Sequence, residues 1–333
     1  MNQKGLFITI CCFAILLFFV SLTVGKVAIP ISDIFSVFNS STEVHQNLIL
    51  NFRLPKSIAA VLVGIALPIS GFMMQELFKN PLAEPSVLGV TSMASLGVGV
   101  VIFLFSILGL EMYLNNPWLI ILASLVGSFF ALLLILSFAS KIKSSASLVI
   151  LGFMISGLTG ALIGMMQYIA PSEKIKSFLM WGFGSLSGLT WNQIAVFALF
   201  IVIGLLISLS TLKGISALLL GERYAATLGI NVKKLRIVLL ISTAILTAAA
   251  TAFTGPIGFV GLVIPHICRT FLKTGNIKIL YQWIIVTGIT SMLFFSILTD
   301  LFPFGTLPIN IITSLIGAPI VISILLNNKY EIR

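Results

Sequence analysis

The chain has 333 residues, of which 59% are hydrophobic and 8% are charged, and its formal net charge is +10. A soluble protein of this length could not cover its surface with so few charged side chains. Between Ser57 and Leu326 the chain repeatedly presents runs of about 20 apolar residues, the helix length that crosses a hydrocarbon core about 30 Å thick. The composition therefore excludes a soluble protein and predicts an all-α, polytopic membrane protein.

Ten apolar segments follow one another, and nine of them are long enough to span a bilayer. In chain order they are 6–25, 57–75, 86–110, 117–139, 145–170, 191–211, 237–254, 256–268, 279–299 and 305–326, of which 256–268 is the short one. The first follows Lys4 as a secretory signal core would, but it is longer than such a core and no small-x-small cleavage site follows it. We expect a retained first helix and a single transmembrane domain over residues 1–333.

The basic residues predict the orientation, because Lys and Arg stay preferentially on the cytoplasmic side. With the N-terminus inside and ten passes, 14 of the 19 basic residues lie on one side, and the other side holds only Lys26, Arg53, Lys56, Lys174 and Lys176. Without a pass at 256–268, Arg269, Lys273 and Lys278 would move outside. Ten passes with both termini in the cytoplasm are therefore favoured, and the net charge is an orientation signal that gives little support to nucleic-acid binding.

Ionisable side chains are nearly absent from the predicted spans. Glu76, Glu84, Glu222 and Asp300 fall at span ends or in loops, and only His266 approaches membrane depth. Ion-driven carriers usually hold such groups within their spans, so this class is disfavoured, although a carrier that binds its ion through backbone carbonyls stays open. The sequence also has no G-x-x-x-x-G-K-[ST] loop, so we expect that ATP would be bound by another subunit.

Cysteine and histidine are too scattered to predict a metal site or a cofactor. Cys11 and Cys12 lie within the first apolar segment, Cys268 lies at a helix end, and none has a second cysteine at metal-ligand spacing. Buried thiols of this kind usually act as small hydrophobic groups. We interpret His266 as a packed helix-end residue.

The stretch 213–236 is cytoplasmic by the charge count and contains a short helical segment between Gly221 and Gly229. A short helix between two helix breaks suits docking into a groove on a cytoplasmic partner. An ordinary solvated connector is the alternative, and the spacing alone does not decide between them.

Two stretches rich in glycine and proline, 254–266 and 78–89, cannot form plain spanning helices. Broken helices at membrane depth persist only where protein or a water-filled cavity satisfies the freed backbone groups. The breaks follow the second and the seventh helix, five helices apart and in opposite orientation. This placement suggests an inverted repeat, a common plan for transporters.

Several motifs resemble, in order and spacing, those of one family. They are Arg53-Leu54-Pro55-Lys56; Asn80-Pro81-Leu82-Ala83-Glu84-Pro85 with Leu88-Gly89; Gly221-Glu222…Ala225…Leu228-Gly229; Gly258-Phe259-Val260-Gly261-Leu262-Val263-Ile264-Pro265-His266…Arg269; and Leu307-Pro308-Ile309 with Leu315-Ile316-Gly317-Ala318-Pro319. The chain resembles the FecCD family, the transmembrane permeases of ABC importers for iron-siderophores, haem and cobalamin. The resemblance covers essentially the whole chain. It implies a ten-helix subunit that dimerises around a central pathway and works with two ATPase subunits and an extracytoplasmic binding protein.

The resemblance also implies roles for individual residues. It implies ATPase coupling for Gly221, Glu222, Ala225, Ala226, Leu228 and Gly229; binding-protein docking for Arg53 and Lys56; and a cytoplasmic gate for Asn80, Leu82, Ser144 and Ser145. The family usually has a second Arg where this chain has Lys56, which keeps the charge but loses bidentate geometry. A further basic residue often follows the ninth helix, where this chain has Leu301-Phe302-Pro303-Phe304.

We therefore expect a non-enzymatic permease subunit of an ABC importer for an iron-siderophore or related metal chelate, in a bacterial cytoplasmic membrane. Its expected partners are ABC ATPase subunits, an extracytoplasmic binding protein, a second permease chain, identical or paralogous, and membrane lipid. A haem or cobalamin importer is the alternative within the family. A carrier driven by an ion gradient is the alternative from another class; a structural scaffold would need neither broken helices nor a docking motif.

Overall fold

A computed structural model describes residues 3–27, 29–35, 43–139, 145–302 and 305–326. Twelve helices organise the part of the chain used below: α1 (Gln3–Thr23), α2 (Glu43–Phe78), α3 (Val90–Ile107), α4 (Pro117–Ala139), α5 (Ser145–Ile169), α6 (Ser172–Gly182), α7 (Trp191–Leu218), α8 (Glu222–Thr227), α9 (Val232–Thr254), α10 (Val260–Leu272), α11 (Ile277–Asp300) and α12 (Ile309–Leu326). A short helix, Ile31–Phe35, and two 3₁₀ turns, Pro85–Leu88 and Glu111–Asn115, lie between them. The predicted all-α, polytopic architecture is confirmed.

Eight of these helices are long and apolar enough to cross a membrane over their described residues. Helix α10 is shorter, with 13 residues, and α12 is an apolar helix of 18 residues. Helix α12 begins four residues later than the predicted segment 305–326 and keeps 18 residues, about the length that crosses a hydrocarbon core. Gly305 has a φ of +143°, and the N–H of Leu307 donates to the carbonyl of Thr299 in α11. Because this turn returns the chain onto α11, the last helix begins only at Ile309.

Helix α2 begins at Glu43, 14 residues earlier than the sequence predicts. The helix continues from its polar N-terminal part into the apolar span through a π-helical turn, Ile49–Arg53. Arg53 and Lys56 therefore lie inside a 36-residue helix, whereas the sequence placed them ahead of the second helix. Their side chains are held on a regular helical surface.

Helix α2 forms the centre of the structure. Its side chains from Ala59 to Phe78 are mostly buried, and it packs against α7, α9, α10 and α11. Two contacts leave no room for a side chain: a Cβ on Gly71 would lie 1.7 Å from the carbonyl oxygen of Gly261, and one on Gly64 would lie 2.7 Å from that of Gly288. Small residues that let backbones touch are a common means of helix association in membranes.

Helix α6 lies in a segment that the sequence treated as a loop. It alternates charged and apolar residues at helical spacing, so that Phe178 is buried while Lys176 is exposed. This amphipathic period is the signal that could have predicted the helix. Phe178 packs against Phe103 of α3, with 5.4 Å between ring centroids.

Candidate functional site

The predicted coupling segment forms the six-residue helix α8, which stands between two glycines with positive φ. Gly221 has a φ of +108° and Gly229 one of +81°, conformations that a residue with a Cβ rarely adopts. The chain therefore turns sharply on both sides of α8. Ala225 is fully buried against the body of the protein, whereas Ala226 is exposed.

Apolar side chains are exposed around α8. Leu220 is 66% exposed and Leu228 58%, and Tyr224 projects from the helix between them. An ion pair of 3.2 Å joins Glu222 Oε1 to Arg236 Nη2 of α9, which fixes the start of α8 to the next helix. An exposed apolar patch bordered by charged residues is typical of a protein–protein contact.

Arg53 caps the C-terminal end of α1. Its Nη1 donates to the carbonyl of Leu22 at 2.7 Å, and its Nη2 donates to the carbonyl of Val27. The last carbonyls of a helix have no intrahelical partner, and the helix dipole favours a positive charge at this end. The sequence did not indicate this role, because the partners lie 31 and 26 positions away.

Lys56 forms an internal ion pair with Asp300. Its Nζ lies 2.6 Å from Asp300 Oδ2 and also donates to Thr299 Oγ1 at 3.3 Å. Only 13% of the Lys56 side chain and 16% of the Asp300 side chain are exposed. The two residues thus join the start of the apolar part of α2 to the end of α11.

Two of the four predicted gate residues lie in the turn after α2. Asn80 Oδ1 accepts a hydrogen bond from the N–H of Leu82 at 2.9 Å, and the Asn80 N–H donates to the carbonyl of Gln75. Ser144 lies outside the described residues. Ser145 begins α5, and its side chain is not described. The structure therefore places Asn80 and Leu82 in one hydrogen-bonded turn, and the gate role of all four residues stays a prediction.

The break before α10 is held by side chains from two distant parts of the chain. Glu84 Oε1 accepts from the N–H of Phe259 at 3.1 Å, and Asn310 Oδ1 of α12 accepts from the N–H of Gly258 at 3.0 Å. These contacts satisfy backbone groups that a broken helix leaves free. Sequence reasoning identified the break but not its two acceptors.

The sequence also did not predict an ion pair between α2 and α10. Arg269 Nη2 lies 2.6 Å from Glu76 Oε1, and the guanidinium carbon lies 5.4 Å from the centre of the Phe72 ring. Gln75 Nε2 donates to the carbonyl of Leu262 at 3.1 Å. The signal in the sequence that could have predicted this ion pair is the presence of opposite charges, Glu76 and Arg269, at the ends of two predicted spans.

A cavity of about 480 Å³ lies where the 3₁₀ turn Glu111–Asn115 meets α6. At its edge Lys174 Nζ lies 3.1 Å from Glu111 Oε1. Hydrogen bonds from Lys174 and from Ser106 lower the pKa of Glu111 below its ordinary value. Within the described residues, no group of three or more His, Cys, Asp or Glu side chains could hold a metal ion.

Comparison with known proteins shows the family. Residues 13–327 match the model of the FecCD transport family, and the chain belongs to this family. The haemin transport system permease HmuU of Yersinia pestis is 32% identical over 308 residues, which cover 89% of this chain and 88% of that protein. The vitamin B12 import system permease BtuC of Vibrio cholerae is 30% identical over 328 residues, which cover 97% of this chain and 92% of that protein.

The fold is also similar to that of a solved structure. It is an inward-facing conformation of an ABC transporter assigned to the metal-chelate type, and it matches with a TM-score of 0.85 and 28% identity. The match covers 98% of this chain and 99% of the other. The protein is thus a multi-pass membrane permease subunit of an ABC importer. It is a transport component and not an enzyme, because the ATPase of such an importer is a separate subunit.

Proposed function

We propose that this permease translocates an iron-siderophore or a related metal chelate. The observation that carries the proposal is the match over nearly the full length of both chains to a transporter assigned to the metal-chelate type. Haem and cobalamin are the alternatives, because HmuU and BtuC are permeases for haemin and vitamin B12. A carrier driven by an ion gradient finds no support in these relatives.

The proposed mechanism begins at α8. ATP binding would move the ATPase subunits against the exposed surface formed by Leu220, Tyr224, Ala226 and Leu228, and the turns at both ends of α8 would let it move as a unit. The Glu222–Arg236 ion pair supports a path from α8 into α9. The permease subunits would then rock between inward-facing and outward-facing states. We expect a second permease chain, the same or a paralogue, to complete the pathway.

The turn after α2 is proposed as one part of a cytoplasmic gate. Asn80 is exposed and Leu82 is half-buried, and both are fixed by the hydrogen bonds of the turn. Ser144 and Ser145 are proposed as the opposing part. Closure of this gate would keep the pathway sealed until α8 moves.

Arg53 and Lys56 are proposed to contribute to docking of the extracytoplasmic binding protein. Each charge already has an internal partner, so acidic groups of the binding protein would have to share Arg53 with backbone carbonyls and Lys56 with Asp300. The docking interaction should therefore be weaker per charge than one made by free side chains. Salt should weaken it further, because exposed charges are screened over about 8–10 Å at physiological ionic strength.

The proposed setting is a bacterial cytoplasmic membrane, with both termini in the cytoplasm. The experiment that tests the substrate is a comparison of uptake in cells with and without the gene. Radioiron-labelled ferric siderophores, haemin and labelled cobalamin are offered separately. Loss of siderophore uptake alone supports the proposal, whereas loss of haemin or cobalamin uptake alone assigns the permease to that alternative.

A further inference from the structure

The two helix breaks of the chain meet at Glu84. Glu84 Oε1 accepts a hydrogen bond from the N–H of Phe259, 175 positions away, at 3.1 Å. Beside this contact, a Cβ placed on Gly261 would lie 3.5 Å from Pro85 Cδ. The turn that follows α2 is therefore packed directly against the start of α10.

A carboxylate suits this position for two reasons. The first N–H groups of a helix have no intrahelical partner, and the helix dipole favours a negative charge at the N-terminus. Phe259 itself has φ +67° and ψ −30°, a conformation that residues with a side chain avoid. Such a conformation persists only where the surroundings enforce it, and the hydrogen bond to Glu84 is one of those constraints.

The other end of the same turn is fixed to α2. The Asn80 N–H donates to the carbonyl of Gln75 at 3.2 Å, and the Ala83 N–H donates to the carbonyl of Asn80 at 3.1 Å. Residues 79–84 are thus attached at one end to α2 and at the other, through Glu84, to α10. Helix α10 is joined to α2 independently by the Arg269–Glu76 ion pair.

We propose that Glu84 is a positioning residue that holds the turn 79–84 against the N-terminus of α10, so that Asn80 and Leu82 can shift only when α10 moves. This inference rests on the proposed gate role of Asn80 and Leu82. Glu84 needs no contact with the transported molecule for this role. Its carboxylate couples the gate to the broken helix that the rest of the protein encloses.

The test measures how readily position 82 reacts with a membrane-impermeant fluorescent maleimide. Leu82→Cys is introduced after Cys11, Cys12 and Cys268 are replaced by Ser, and inside-out membrane vesicles containing the assembled transporter are labelled without ATP. Glu84→Ala should raise the labelling rate roughly tenfold, because the N–H of Phe259 loses its hydrogen-bond acceptor. Glu84→Gln should label at the parent rate, because its amide oxygen accepts the same N–H.

Two further variants separate positioning from general loosening. Glu84→Asp keeps the carboxyl group but shortens the side chain by one methylene group, and it should raise the labelling rate as Glu84→Ala does. Asn310→Ala removes the acceptor of the neighbouring Gly258 N–H without touching the turn, and it should leave labelling unchanged. Thermal midpoints of all variants in detergent are measured in parallel.

The proposal is overturned if Glu84→Ala and Glu84→Gln label equally, or if Asn310→Ala raises labelling as much as Glu84→Ala. Labelling requires no substrate. Failure of the transport proposal would instead appear as an absence of ATP-driven uptake by the parent protein, with the labelling differences intact.

Discussion

Lys56 of α2 and Asp300 of α11 form an ion pair of 2.6 Å, although they are 244 positions apart in the chain. The family resemblance implies that Lys56 faces a partner protein, and the structure gives it an internal acidic partner. Both side chains are largely shielded from solvent. Removal of one partner leaves a charge without compensation, which costs about 3–5 kcal/mol where the pair is fully buried.

The first prediction concerns the strength of this pair. Lys56→Met and Asp300→Leu should each lower the thermal midpoint of the purified permease, and the double variant should recover much of the loss, since an apolar pair replaces both charges. A double-mutant cycle should give a coupling of about 1–3 kcal/mol. Additive effects of the two single variants would contradict the internal pair.

Variants of Lys56 and Asp300 also test docking. If Lys56 contributes to capture of the binding protein, Asp300→Asn should free its ammonium group and increase the affinity at low salt. Lys56→Met should decrease the affinity. The affinity is measured by titration of binding protein against permease in nanodiscs, and unchanged affinity in both variants would remove Lys56 from the docking surface.

The second prediction uses two neighbouring alanines of α8. Ala225 is fully buried, so Ala225→Leu should overpack the contact and destabilise the protein by about 1–3 kcal/mol. Ala226 is exposed, so Ala226→Leu should leave the thermal midpoint unchanged while ATP-driven uptake falls towards background.

Comparison of Ala225→Leu with Ala226→Leu separates a loss of folded protein from a loss of coupling to the ATPase. ATPase activity of the assembled transporter and uptake are measured on the same preparation. Wild-type uptake by Ala226→Leu would show that α8 does not carry the motion.

The third prediction concerns orientation. Lys174 is half-buried in its pair with Glu111, so the neighbouring exposed Lys176 is the better probe of that side. In a background without Cys11, Cys12 and Cys268, an impermeant maleimide should label Lys176→Cys in intact cells and spare Lys213→Cys. After permeabilisation both should react, and labelling of position 213 in intact cells would refute the predicted topology.

The fourth prediction tests the contact between α2 and α10. Gly71→Ala places a Cβ 1.7 Å from the carbonyl oxygen of Gly261, so the two helices must separate, and we expect a large loss of folded protein. Gly5→Ala in α1 is the matched control, because no atom lies within 4 Å of the added Cβ. It should be neutral or slightly stabilising, since Ala favours a helix over Gly by about 1 kcal/mol. Equal yields and thermal midpoints for the two variants would contradict the close packing.

The sequence predicts the helices well because hydrophobicity and length act locally. It also predicts the two helix breaks, at 78–89 and 254–266, because both stretches are rich in glycine and proline. It could not predict that Arg53 caps α1 or that Lys56 pairs with Asp300, because those partners depend on how the helices pack. The later start of α12 could not be predicted for a related reason: the turn at 305–308 is set by a hydrogen bond to Thr299 in the preceding helix.

The candidate sites also have local features, which the sequence predicts, and long-range contacts, which it does not. The glycines around α8 mark it in the sequence, but which of Ala225 and Ala226 faces the protein follows only from the fold. Glu84 appears in the sequence as part of a motif in a loop. Its contact with Phe259 becomes visible only when the two breaks are brought together.

We propose that this chain moves a metal chelate through the membrane with energy from a separate ATPase. The most direct measurement is uptake of a radioiron-labelled ferric siderophore into proteoliposomes that contain the permease, with its binding protein outside and ATP enclosed. We expect uptake that requires both the ATPase subunit and ATP hydrolysis and that persists when ionophores collapse all ion gradients. Uptake without the ATPase, or loss of uptake when only the ion gradients are collapsed, would contradict transport driven by ATP.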